Sequence, residues 1–148
     1  MARTNLHFDV SGDVQLARRL ARMAAHTQDV RPVWREAART FAREQRRTFA
    51  SGRWAPLSPP YARWKARAFP GASILVRTGG LRRSLTSRPL GVEDIRPQEM
   101  TIGSNVAHGR FHQQGTATMP ARPLIRVRSI SLRSWVRRLW QHIDSERA

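Results

Sequence analysis

The stretch from Gly52 to Pro123 constrains this chain most, because glycines, prolines and aromatic rings break it at short intervals. It carries Gly52-Arg-Trp-Ala-Pro-Leu-Ser58, then Tyr61 to Lys65, then Ile74-Leu-Val-Arg-Thr-Gly-Gly-Leu-Arg-Arg-Ser-Leu85. Ile102-Gly-Ser-Asn105, His112-Gln-Gln-Gly115 and Met119-Pro-Ala-Arg-Pro123 follow. Proline and glycine at this density punctuate local structure, so long helices are expected on either side of the stretch. Within residues 53–72, Trp54, Tyr61, Trp64 and Phe69 stand among Pro56, Pro59, Pro60, Pro70 and Gly71. Leaving those rings in water is costly, so the loop is expected to pack on its own domain or on a neighbouring subunit. A short helical turn is expected from Pro60 to Arg67.

Three segments outside or at the edge of this stretch show helical spacing. From about residue 13 to 25, Leu16, Leu20, Met23 and Ala24 share a face opposite Arg18, Arg19 and Arg22. Ser11 suits the N-cap of this helix, and Asp13 favours its positive dipole end. Asp29 and Pro32 open a second helix over 33–50, with Trp34, Ala37, Ala38, Phe41, Thr48 and Phe49 inward and Gly52 as its left-handed stop. Arg35, Arg39, Arg43 and Arg46 line its other face as a candidate polyanion-binding stripe. Over 131–144, Leu132, Trp135, Val136, Leu139 and Ile143 oppose Arg133, Arg137 and Gln141.

The remaining pattern is β-like. Leu6, Phe8 and Val10 alternate as a short strand, Ile74 to Val76 reads as a strand end, and Leu85 to Leu90 reads as a strand before a turn at Gly91 to Asp94. Met100 to Ile102 and Leu124 to Val127 complete the set. Leu81 to Leu85 fits a helical turn or a strand entry, and Ala107 to Phe111 a short helix or a loop. The expected fold is α+β: two N-terminal helices and a C-terminal helix on a small, largely antiparallel sheet drawn from residues 74–127, in one domain over 1–148. An all-helical bundle is the alternative. The expected core is Trp34, Phe41, Leu81, Leu85, Ile102, Leu132, Leu139 and Ile143.

Charge sets the partner classes. Twenty-seven basic residues face 10 acidic ones, leaving a formal charge of +17, and Lys65 is the one lysine. Such a surface attracts polyanions and repels its own copies unless the arginines are paired. The absence of cysteine excludes disulfides and thiolate metal sites. No apolar run approaches the roughly 20 residues that span a bilayer, and the N-terminus lacks a signal-peptide core, so a protein without a membrane partner is expected. His108 and His112 are four apart, without a third ligand close in sequence, so packed polar residues are favoured over a metal site. Glu36 and Glu44 are explained by i, i+3 pairs with Arg39 and Arg47. Neither a G-x-S-x-G elbow nor a Walker loop is present, so neither an enzyme nor a cofactor is expected.

Read together, the ordered pieces G-x-W-x-P-L-S, Tyr and Lys, I-L-x-x-T-G-x-L-x-x-S-L, I-G-S-N, H-Q-x-G and P-A-R-P resemble the phage virion morphogenesis family of tail-completion proteins. Gln114, where an aromatic is usual, and Leu124-Ile125, where Phe-Leu is usual, depart from the pattern. The resemblance implies a structural protein of the virion tail or neck, assembled in the host cytoplasm. It would complete the tail or join tail to head as a homo-oligomeric ring, most simply a hexamer. Its implied neighbours are the tail tube or terminator and the head–tail connector, with non-specific contact to genomic DNA. Interface candidates are Trp54, Tyr61, Phe111, His112, Gln113, Gly115, Pro120, Arg122 and Pro123, with Arg122 reaching a carboxylate across the interface. A sequence-neutral DNA-binding protein is the competing expectation, and a small hydrolase a distant third.

Overall fold

Helix α2, Arg31–Ser51, forms the spine of the molecule because its inward face is small and apolar: Val33, Ala37, Ala38, Phe41, Ala42 and Phe49 are all buried. The alanines let other elements approach its backbone closely, and the phenylalanines supply most of the apolar surface removed from water. Pro32 opens the helix and Gly52 ends it in the left-handed conformation, both as expected. The computed structural model describes residues 11–144. The expected strand Leu6–Val10 lies outside them, as do the side chains of Ser11 and Asp13.

In chain order, α1 (Ser11–Gln28) precedes α2, and α3 (Pro59–Ala68) and α4 (Gly80–Thr86) follow. Strands β1 (Val92–Ile95) and β2 (Met100–Gly103), then α5 (Gly109–Gln114) and α6 (Ser129–Ile143), complete the order. The α+β class holds, with an antiparallel sheet of two strands that pairs Val92 with Gly103 and Ile95 with Met100. Helices α4 and α6 and strand β1 pack on α2, while α1 packs chiefly on α6. Phe41, Ala42, Phe49, Leu81, Leu85, Leu90 and Leu124 form the central cluster, with Trp54, Ile102 and Trp135 against its edge.

Several β expectations fail for identifiable reasons. Leu81 and Leu85 are buried one helical turn apart, so the segment is α4 and runs to Thr86, whose hydroxyl donates to Arg82 O (2.8 Å). No strand follows at 85–90. The hairpin turn sits at Arg96–Glu99, closed by Arg96 N–H to Glu99 O (2.9 Å), and not at 91–94. Gly91 is a packing glycine: a Cβ there would stand 2.7 Å from Asn105 Oδ1 and 2.9 Å from Ser84 Cβ. Glu93, expected in a turn, is instead clasped by Arg88 and accepts the Leu90 N–H (2.9 Å). Ile74–Val76 is a turn with Leu75 at φ 63°, and 124–127 forms no strand.

The helix faces also shift. On α6 the inward line is Ser131, Trp135 and Leu139, so Leu132 is 54% exposed, contrary to expectation. Ser131 Oγ donates to Glu44 Oε1, which takes Glu44 away from its expected partner Arg47. Trp34, Ile102, Leu139 and Ile143 are half-buried, and Leu16 and Leu20 of α1 are exposed. Phe41→Ala should cost about 3–5 kcal/mol by removing a ring from the centre of the cluster. Urea melts check it, and a loss under about 1 kcal/mol would mean that α2 does not carry the core.

Candidate functional site

The pieces of the broken string meet in space, and mostly they bind one another. Trp54 packs edge-on against Phe49, with ring centroids 5.4 Å apart, and its Nε1 donates to Pro123 O (3.3 Å). Arg122 is 3% exposed, and its Nε and Nη2 donate to Ala55 O (2.8 Å) and Pro56 O (2.7 Å). Its own N–H donates to His112 O (2.7 Å). Gln113 Oε1 accepts from the amides of Leu124 (2.8 Å) and Ile125 (3.0 Å), and its Nε2 donates to Ile125 O (3.0 Å). One side chain thus supplies the partners that a neighbouring strand would, so the backbone groups of Leu124 and Ile125 are satisfied without a sheet.

The tight return after α5 depends on Gly115, at φ 77° and ψ −179°. That conformation belongs almost to glycine alone, and a Cβ would also lie 2.8 Å from Ala121 N and 3.0 Å from Met119 O. Thr116 and Met119 close the following turn as a β-bridge. Ser84 of α4 and Ser104 after β2 share a hydrogen bond of 2.6 Å, joining the Leu81–Leu85 and Ile102–Asn105 pieces. Lys65 of α3 is 5% exposed and its Nζ donates to Ser73 O.

A cavity of about 510 Å³ opens between α3, the 75–81 turn, α5 and the 118–122 segment. Leu57, Leu75, Val76, Leu81 and Met119 give it apolar walls, and Lys65, Arg77, His108, His112 and Arg122 line it with basic groups. Among the described residues no carboxylate lines it. Burial lowers the pKa of Lys65 below its ordinary value. Burial first, then the charges of His108 and Arg122, lower that of His112 from 6.5. The His112 Nδ1 is buried and finds no hydrogen-bond partner. The His108 and His112 rings meet edge-on, 5.8 Å apart. Among the described residues no group of three or more His, Asp or Glu is placed to hold a metal.

The sequence model of the phage virion morphogenesis family matches residues 12–140. The chain belongs to the phage virion morphogenesis family. That membership places it in virion assembly, among structural proteins. No curated protein and no solved structure gives a match. No described helix is long and apolar enough to cross a membrane.

In this virion morphogenesis protein the interface candidates divide. Trp54, Gln113, Arg122 and Pro123 are tied to other parts of the chain, and the Arg122 guanidinium turns inward onto the carbonyls of Ala55 and Pro56. Its side chain serves better as a brace between distant loops. His112 and Gly115 are half-buried; Tyr61, Phe111 and Pro120 face solvent. Arg35, Arg39 and Arg43 are exposed, with Glu36 near Arg39 (3.5 Å) and Arg43 (4.0 Å), whereas Arg46 Nε is committed to Thr86 O (2.9 Å). Sequence reasoning did not place Lys65 inside. Its being the one lysine in an arginine-rich chain was the available signal, since a compact ammonium on a flexible stem fits where a planar guanidinium does not. Trp64, expected to pack with its loop, lies between Tyr61 (5.3 Å) and Phe69 (5.8 Å) and remains 45% exposed.

Two outcomes follow for the folded state. Arg122→Ala strands the carbonyls of Ala55 and Pro56 and should cost about 2–3 kcal/mol in a denaturant melt. An unchanged melt would remove its bracing role. His112 has a folded pKa below its unfolded one, so the stability it contributes is complete above about pH 6.5 and is lost as pH falls toward the folded value. The urea midpoint of the parent should therefore drop on acidification below pH 6.5 more than that of His112→Gln, and parallel profiles would count against it.

Proposed function

We propose that the protein completes the phage tail, or joins tail to head, as a closed ring of identical subunits, most simply sixfold. The observation that carries the ring is an apolar surface larger than the fold uses. On α6 the line Leu132, Val136 and Trp140 lies outside, with Trp140 62% exposed, and Val14, Leu16 and Leu20 of α1 are exposed on the helix that α6 packs against. Tyr61, Trp64 and Phe111 form further exposed apolar positions on other elements. Two different apolar surfaces suit a head-to-tail contact, in which one surface of each subunit meets the other surface of the next and the rotation closes.

Replacing Leu132, Val136 and Trp140 with serine together should leave the melting temperature within a few degrees, since exposed positions rarely carry stability. It should dissolve the ring seen by negative-stain imaging and sedimentation. A variant as oligomeric as the parent would remove α6 from the contact, and a parent monomeric in the particle would remove the ring.

A second reading, sequence-neutral DNA binding, is favoured by the exposed row Arg35, Arg39 and Arg43 together with the charge of +17. Changing those three to glutamine should flatten the salt dependence of duplex binding by roughly one slope unit per lost phosphate contact. An unchanged slope would leave the row as a solvated face.

A further inference from the structure

Two charged side chains are buried among the described residues, Lys65 and Arg122, at 5% and 3% exposure, and both line the same cavity. Neither has a carboxylate within ion-pair distance among the described residues; each is held by backbone carbonyls alone. A buried cation without a counter-charge is expensive, and carbonyl dipoles offset only part of that cost. An ammonium and a guanidinium also carry more N–H groups than those carbonyls use. At the same wall the Nδ1 of His112 is buried without a partner. Arg77 at the exposed rim adds a further guanidinium. Three kinds of unused polar capacity therefore converge on one space that no acid among the described residues lines.

We propose that this cavity binds the carboxylate of an acidic peptide segment that carries an aliphatic side chain beside the acid. Charge complementarity selects the anion, and the walls select its surroundings. Leu57, Leu75, Val76, Leu81 and Met119 offer a phosphate nothing, but they match a Leu or Val flanking a Glu or Asp. A duplex backbone would instead be met by the open arginine row of α2. That the peptide belongs to a neighbouring virion protein rests on the assembly reading above; the chemistry of the pocket does not.

The test uses the full chain and three probes: acetyl-Leu-Glu-Leu-amide, its neutral isostere acetyl-Leu-Gln-Leu-amide, and inorganic phosphate. Binding is read from the NMR shifts of the Met119 methyl and the His112 ring. The Glu peptide should give saturable shifts at both sites, with the Gln peptide about tenfold weaker, because a charge-assisted hydrogen bond is lost. Lys65→Met should reduce Glu-peptide affinity by about the same factor and erase the difference between the two peptides. Arg77→Gln, a change at an exposed rim residue whose guanidinium lies over the Phe69 ring (5.9 Å), should weaken the Glu peptide more than the Gln peptide. Equal binding of the two peptides, or no shift with either, overturns the proposal. So does phosphate saturating the same resonances while the peptides do not, which makes the cavity a phosphate site. The titration is made on isolated protein, so its failure leaves the ring test standing, and a protein found outside any ring leaves the titration standing.

Discussion

The guanidinium of Arg122 holds the middle of this protein together. The segment from Gly52 to Pro123 leaves α2, wanders through α3, α4, the hairpin and α5, and must return to the foot of α2. Arg122 fixes that return by donating to Ala55 and Pro56, while the Trp54 indole donates to Pro123 from the other side. Loop closure over such a span is entropically costly, and a two-stranded hairpin cannot supply the compensation. Side chains replace sheet here: Arg122, Gln113, Glu93 and Ser104 each take backbone groups that a larger sheet would have paired.

That substitution explains what was legible beforehand. The long helices were readable because apolar spacing, Pro32 and Gly52 act locally and the structure obeys them. The sheet was over-read. Short apolar runs such as Ile74–Val76 and Leu124–Val127 have strand composition, yet whether they pair depends on which donor reaches them, and Gln113 reached Leu124 and Ile125 first. Gly91 looked like a turn signal because glycine serves both turns and close packing; only the position of Ser84 and Asn105 distinguishes them. On α6 the apolar face is wider than the contact with α2, so periodicity located the helix without saying which edge of the stripe would be covered. The ordered motifs were legible as a set, but their role was not. Several of them latch the chain to itself through Trp54, Lys65, Ser84, Gln113 and Arg122, and a side chain spent inside the fold reads in the sequence like one left for a partner.

The distribution of charge connects the latches to assembly. Every carboxylate from Asp29 to Asp144 is already engaged: Asp29 with Arg31, Glu36 with Arg39, Glu44 with Ser131, Glu93 with Arg88, Asp94 and Glu99 with Arg96, Asp144 with Arg19. These pairs are mostly exposed and individually weak, but they exhaust the acids available there. With a formal charge of +17 over the whole chain, most of the positive surface can be neutralised only from outside it. Two separate demands follow from different physics. The arginine row of α2 needs only a diffuse polyanion or an acidic face, because its charges remain hydrated. Lys65 and Arg122 are buried and held by backbone carbonyls, so an anion that reaches them must do so at a fixed place. A surface that is both strongly cationic and apolar on α1 and α6 associates with its own copies only where the apolar contact outweighs the repulsion, and acidic neighbours reduce that repulsion as they bind. In the proposed ring the two processes would be coupled: each acidic surface that docks would lower the electrostatic cost of placing the next subunit beside it.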